Sequence, residues 1–183
     1  MSTPNARDVL HVPGRLVKNP TSLSLVFPHG GTALGIVRAI VFKPEAKYRS
    51  IHAEEFGEKV EHVYIGEGVV VSAVLRAYDS DAIQTIFQNT SVGSVTGERV
   101  VNQPGSNRAG SLLSAQSIKL LFVPNDPNRH PGFVLYRALP MVSESAEFNF
   151  KLDEPFEIGM VFAGIRDTSN RVYQLAKFKD ITL

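Results

Sequence analysis

Five histidines are the first residues able to do chemistry: His11, His29, His52, His62 and His130. None has a partner at metal-ligand spacing on a predicted helix. His52-Ala53-Glu54 matches the H-x-E element of zinc deaminases. That element needs a P-C-x-x-C partner to hold the metal, and the chain has no cysteine. The same lack removes disulfides, thiol catalysis and thiolate metal sites. His52 therefore reads as a loop histidine, and no metal or other cofactor is expected.

Gly30-Gly31-Thr32-Ala33-Leu34-Gly35 could suggest a phosphate cradle. A P-loop needs G-x-x-x-x-G-K-[ST] opening a helix. Here Ile36-Val37 follow Gly35 in a strand-like pattern, so a turn is the better reading. Gly66-Glu67-Gly68 opens a strand rather than a helix, which fails the dinucleotide fingerprint. There is no G-x-S-x-G nucleophile elbow. Among paired carboxylates, Asp79 and Asp81 suit helix capping. Glu54 and Glu55 point to opposite faces of an extended segment. Nothing in the sequence supports an enzyme.

The elements that must position these residues are mostly strands. Apolar alternation predicts strands at 23–27, 33–43, 60–65, 69–76, 118–123, 133–139, 146–152, 156–165 and 172–178. In 33–43, Leu34, Ile36, Ile40 and Phe42 point one way, and Val37, Ala39 and Val41 the other. Both sets are apolar, so cover on both sides is expected. Gly66-Glu67-Gly68 is read as the turn between 60–65 and 69–76. One helix is predicted over Asp79–Phe87, with Ala82, Ile83, Ile86 and Phe87 forming its apolar face. The expected fold is mainly β: one domain over 1–183, a β-sandwich or open barrel with a flanking helix. Two long loops, 44–61 and 88–116, are expected to make contacts between subunits or to be mobile in the free subunit.

Charge limits the partners. The 183 residues carry 19 basic and 18 acidic side chains, net +1. Tight duplex binding usually needs a basic excess. No apolar run approaches the roughly 20 residues that span a bilayer, and Met1–Asp8 lack a signal-peptide apolar region. The expectation is a soluble protein made in the cytoplasm, without membrane insertion. Arg7, Arg15, Lys18, Arg38 and Lys43 face one acid, Asp8, which makes residues 1–44 net +4. Six glutamates against Lys47, Arg49 and Lys59 make 45–67 net −3. The two parts can be solvated loops, or the basic part of one copy can meet the acidic part of another.

Three segments resemble the tail tube (major tail) proteins of long-tailed bacteriophages. They are Val63-Tyr64-Ile65-Gly66-Glu67-Gly68 with Val70-x-x-x-Val74-Leu75-Arg76; the helix Asp79–Phe87; and Tyr136-Arg137-Ala138-Leu139-Pro140 through Met160-Val161-Phe162-x-x-x-x-Asp167. The resemblance spans roughly two thirds of the chain. It implies homohexameric rings that stack into a hollow tube carrying DNA from capsid to host. It also implies relatives among the inner tubes of contractile injection systems. The expected partners are other copies, a sheath or terminator, a baseplate, and DNA in transient non-specific passage. The place would be the virion tail, after synthesis in the host cytoplasm. The family has no catalytic residues.

On this reading Tyr48, Arg49, Glu54, Glu55, Phe56, Glu58 and Lys59 are expected at the contact between rings. Ser72, Arg76, Asn149, Lys151 and Glu157 are expected to face the lumen. A ring-forming terminator or baseplate part is the alternative. A β-sandwich module for a small molecule or glycan would need more loop aromatics than Tyr48 and Phe56.

Overall fold

The computed structural model describes residues 14–52, 59–78, 82, 83, 85, 91–95, 98–102, 112–141 and 157–183. Nine strands lie within them: β1 (Gly14–Lys18), β2 (Thr32–His52), β3 (Lys59–Tyr78), β4 (Ser91–Val95), β5 (Glu98–Asn102), β6 (Ile118–Pro124), β7 (Pro131–Met141), β8 (Ile158–Gly164) and β9 (Tyr173–Lys177). Every pairing is antiparallel. The main sheet runs β6-β1-β2-β3-β8-β7-β9, and β6 also pairs with β7. Six strands therefore close into a ring, β1-β2-β3-β8-β7-β6. One edge of β7 takes β6; its other edge takes β8 and then β9.

The inside of the ring is the larger core. Leu16, Leu34, Val71, Leu75, Leu120, Leu135, Ile158, Met160 and Phe162 meet there, all essentially without solvent contact. Phe42 closes one end, its ring 4.9 Å from Phe133 and 5.2 Å from Tyr173. A second core lies outside the ring, against β1, β6, β7 and β9. Val17, Leu121, Val134 and Tyr136 pack there under Phe178 and Ile181 of the carboxyl-terminal segment. Leu23 and Phe27 of the segment after β1 join them. Burial on both faces explains why β6 and β7 read as nearly continuous apolar runs.

Several expectations need correction. Segment 23–27 is not a strand. Its backbone bonds close locally: the Thr21 and Ser22 N–H groups donate to the His29 carbonyl, and the His29 N–H donates to Val26. His29 and Gly30 take the left-handed conformation that turns the chain, with φ of 58° and 73°. A Cβ on Gly30 would fall 2.0 Å from Thr21 Oγ1. Strand β1 escaped the pattern, being only five residues long. Segments 60–65 and 69–76 are one strand. Lys47 pairs with Gly66 and Tyr48 with Tyr64, so Ile65 is an extra residue in a bulge. A Gly within a strand marks a bulge as readily as a turn.

The same device changes β2. Register shifts between Ile36 and Val37 and between Val37 and Ala39 reset which residues face inward. Leu34, Val37, Ile40 and Phe42 face the core, while Ile36 and Val41 are exposed. The expected double cover is missing along β2. The long loop expected at 44–61 is strand at 44–52 and from 59 onward. Within 88–116, β4 and β5 pair as a hairpin and Leu113–Gln116 is a 3₁₀ turn. Ala82, Ile83 and Thr85 are helical, and Ala82 is buried in the core. The rest of the expected helix, and the strand expected at 146–152, lie outside the described residues.

The turn between β8 and β9 is held by Asp167. Its Oδ1 accepts from the Ser169 and Arg171 N–H groups at 2.9 and 2.7 Å. Its Oδ2 accepts from Arg171 Nε at 2.9 Å. The Arg171 guanidinium also stacks 3.9 Å over the Tyr136 ring. Desolvation would raise the Asp167 carboxyl, but the hydrogen bonds and the Arg171 charge outweigh it and hold it below the usual range.

Two outcomes follow for stability. Phe162→Ala removes the largest fully buried side chain, and chemical denaturation should show a loss of about 3–5 kcal/mol. Asp167→Ala should lower Tm at neutral pH. Because the folded carboxyl titrates low, its contribution is present above the ordinary aspartate pKa and lost as pH falls through the folded one. The Tm gap should therefore narrow below about pH 4. A gap that stays constant into acid would contradict this.

Candidate assembly surface

Strands β2 and β3 outrun the ring. β8 is the last strand beside β3, and its final pair is Val69 with Gly164. Among the described residues, β2 and β3 pair beyond Pro44 and Val69 only with each other, out to His52 and Lys59. Nine residues of extended chain project roughly 30 Å. Direct pairs share a face. One face carries Tyr48 opposite Tyr64 and Ser50 opposite His62; the other carries Arg49 opposite Val63 and Ile51 opposite Glu61. The two tyrosine rings meet edge to face at 5.9 Å. Loss of water around Tyr64, then its hydrogen bond to Glu67, push its phenol above the ordinary value.

This ribbon is more apolar than a solvated hairpin should be. Tyr48 is 62% exposed and Ile65 59%, and Ile51, Val63 and Tyr64 are exposed too. Two strands without a third, or a layer behind them, are marginally stable in water. Among the described residues neither outer edge of the ribbon has a strand beside it, and such edges present unpaired backbone groups. The geometry fits a segment that gains a partner.

Of the expected ring contacts, Tyr48 and Arg49 sit on the ribbon, on opposite faces. Lys59 opens β3 opposite His52. Glu54, Glu55, Phe56 and Glu58 lie outside the described residues. Ile51, Val63, Tyr64 and Ile65 were missed. Their signal is the cross-strand register, which shows that both strands present apolar groups to the same solvent.

A second surface is the outer side of β2, β3 and β8. The pairings set Val41 beside Ser72 and Ser72 beside Val161, with Ala39, Val74 and Gly159 in the next row. Val41 is 60% exposed. Ser72, Arg76 and Glu157, three of the expected lumen residues, all lie on this side. Asn149 and Lys151 lie outside the described residues. Arg38, not singled out before, joins the group. Its Nη1 donates to both Glu157 oxygens at 2.7 Å, and Arg76 Nε lies 3.5 Å from Glu157 Oε1.

The pairing of cations also bears on the net +4 of residues 1–44. Arg38 meets Glu157, Lys43 Nζ lies 3.9 Å from Glu45, and Lys18 donates to Thr85 Oγ1 at 3.2 Å. Arg15 stacks over Phe27 at 4.8 Å. Among the described residues 14–44, the cations are therefore engaged rather than free.

Of the histidines, His29 is engaged in packing. His29 is buried, its Nδ1 2.8 Å from the Leu25 carbonyl and its ring 5.5 Å from Phe178. Among the described residues, no three His, Asp or Glu side chains converge as a metal site. No helix among them is long and apolar enough to cross a membrane.

No protein-family model matches this chain, and neither does any curated protein. Among solved structures it is similar to a chain from the tail of an empty GTA particle, computed with helical refinement in C6 symmetry. The two share 14% identity at a TM-score of 0.39, over 96% of this chain and 98% of that one. Similarity at that level assigns neither fold nor family.

The ribbon yields its own prediction. In the unassembled subunit, amides of 45–52 and 61–68 should exchange with deuterium faster than those of 69–75, which β8 covers. Equal protection along all of β3 would contradict a free ribbon.

Proposed function

We propose that this chain is a structural subunit of a phage tail tube, forming homohexameric rings that stack into a conduit for DNA. One observation carries the reading: among the described residues, a long two-stranded ribbon with exposed apolar side chains on both faces projects from a closed ring of strands. Such a ribbon is suited to dock on another copy of the chain, where its edges and apolar groups find partners. The resemblance of the three sequence segments to tail tube proteins says which kind of assembly that would be.

In this reading Tyr48, Ile51, Val63, Tyr64 and Ile65 supply most of the contact, with aromatic side chains as anchors. Arg49, Glu61 and the glutamates beyond His52 set register, since exposed charge pairs are each worth about 1 kcal/mol or less. The bare side of β2, β3 and β8, with Ser72, Arg76 and Glu157, faces the lumen. The flank packed against 20–30 and 178–183 faces outward. Further partners are a sheath or terminator and a baseplate, the setting is the virion tail, and the role is not catalytic.

Deleting Tyr48–Lys59 tests this. The truncated chain should fold, with Tm close to the parent, and form no tubes under negative-stain microscopy. Tubes of normal length from the deletion would refute the reading. Parent protein that stops at single rings at every salt concentration would instead indicate a terminator or baseplate ring.

A further inference from the structure

The bare side of β2, β3 and β8 carries three cations, and each meets a carboxylate. Segments 36–43, 69–76 and 157–164 contain four ionisable side chains: Arg38, Lys43, Arg76 and Glu157. Arg38 and Arg76 converge on Glu157 at one end of this face. Lys43 approaches Glu45 at the other. Between them lie uncharged rows, Val41-Ser72-Val161 and Ala39-Val74-Gly159.

Stability is a weak reason for this arrangement. The Arg38 and Arg76 side chains are more than half exposed, at 54% and 56%, and exposed ion pairs add little. The consequence for an approaching polyanion is larger. A guanidinium is built to grip phosphate through paired N–H donors. Each phosphate so neutralised releases counterions and strengthens binding. Glu157 accepts from Arg38 Nη1, lies 3.5 Å from Arg76 Nε, and places negative charge where a phosphate would sit. Its partner Arg38 is 119 positions away, so the fold, not local sequence, builds the site.

We infer that Glu157, and to a lesser degree Glu45, mask the basic groups of this face against nucleic-acid phosphates, so that DNA moves across it without being held. The inference rests on the tube reading for bringing DNA to this face. It adds what that reading lacks: a reason for a carboxylate between two arginines on a face whose next described rows are uncharged. A bare arginine pair would bind the cargo, and a surface without the pair would not need Glu157.

The test is fluorescence anisotropy of a labelled DNA duplex with the purified full-length chain, unassembled and at low salt. Glu157→Gln keeps the side chain's shape and frees both guanidinium groups. It should bind at least about tenfold tighter than the parent, with the salt dependence steeper by up to about two phosphate contacts. Adding Arg38→Gln and Arg76→Gln should return binding to the parent level. Glu45→Gln alters only an exposed pair, so it cannot unfold the chain, and it should give a smaller gain. If Glu157→Gln does not fold, Glu45→Gln decides alone. Binding unchanged or weaker in the folded variants overturns masking, as does a gain that survives loss of both arginines. Microscopy of the same proteins, concentrated until the parent can assemble, reads assembly separately. Tubes without a gain in DNA binding overturn masking alone; a gain without tubes supports masking and removes the tube reading.

Discussion

The backbone's demand for hydrogen-bond partners organises this molecule. Every buried N–H and C=O needs one, and a sheet meets that need everywhere except at its edges. Pairing β6 with β7 closes six strands into a ring and removes most of those edges. Among the described residues, what remains lies along the outer edge of β9 and where β2 and β3 continue past their neighbours. Because six strands of the body close on themselves, the ribbon is one of the few stretches where a second chain could extend the sheet. The closure that stabilises the fold thus also directs where assembly can take place.

The two sides of the ring differ for a related reason. β1, β6 and β7 carry apolar residues on both faces, and the chain covers their outer side with its own segments, 20–30 and 178–183. The carboxyl-terminal cover is fixed by one amide. Gln174 Oε1 accepts from Tyr136 Oη, Thr182 N and Thr182 Oγ1 at 3.0, 2.9 and 3.1 Å. β2, β3 and β8 bury one face only, and Val41 stays open to solvent on the other. A flank sealed by its own chain leaves the opposite one as the surface free to meet something else.

Much of this architecture was legible, and the failures share a cause. The strands β6, β7, β8 and β9 were found because apolar runs bounded by Pro and Asn turns leave few alternatives. The inward face of β2 was wrong because bulges near Val37 and Arg38 shift the parity, and parity is all that alternation offers. Gly66 was read as a turn because bulge and turn call for the same residue. Segment 23–27 has strand spacing but satisfies its backbone locally through His29. Of the surface groups, Tyr48 was visible as an aromatic in a charged stretch. The joining of Arg38, Arg76 and Glu157 was not, since three strands of set register bring them together. Sequence spacing carries the period of a strand but not the offset between strands.

An exposed ribbon with two free edges would pair with any extended chain unless something restrained it, and the sequence of this one supplies the restraint. Ile65 is a bulge that breaks the ladder and adds local twist, which a flat partner strand cannot follow. Glu45, Lys47, Arg49, Glu61 and Glu67 stud the same stretch with charges of both signs, so a partner in the wrong register meets like charge or leaves a cation unpaired. Its apolar groups, Tyr48 with Tyr64 on one face and Ile51 with Val63 on the other, give affinity without saying to what. The bulge and the charges narrow that affinity to a surface with matching twist and matching signs. In the proposed tube another copy of this chain would supply both, because every change in the ribbon would be repeated in each copy.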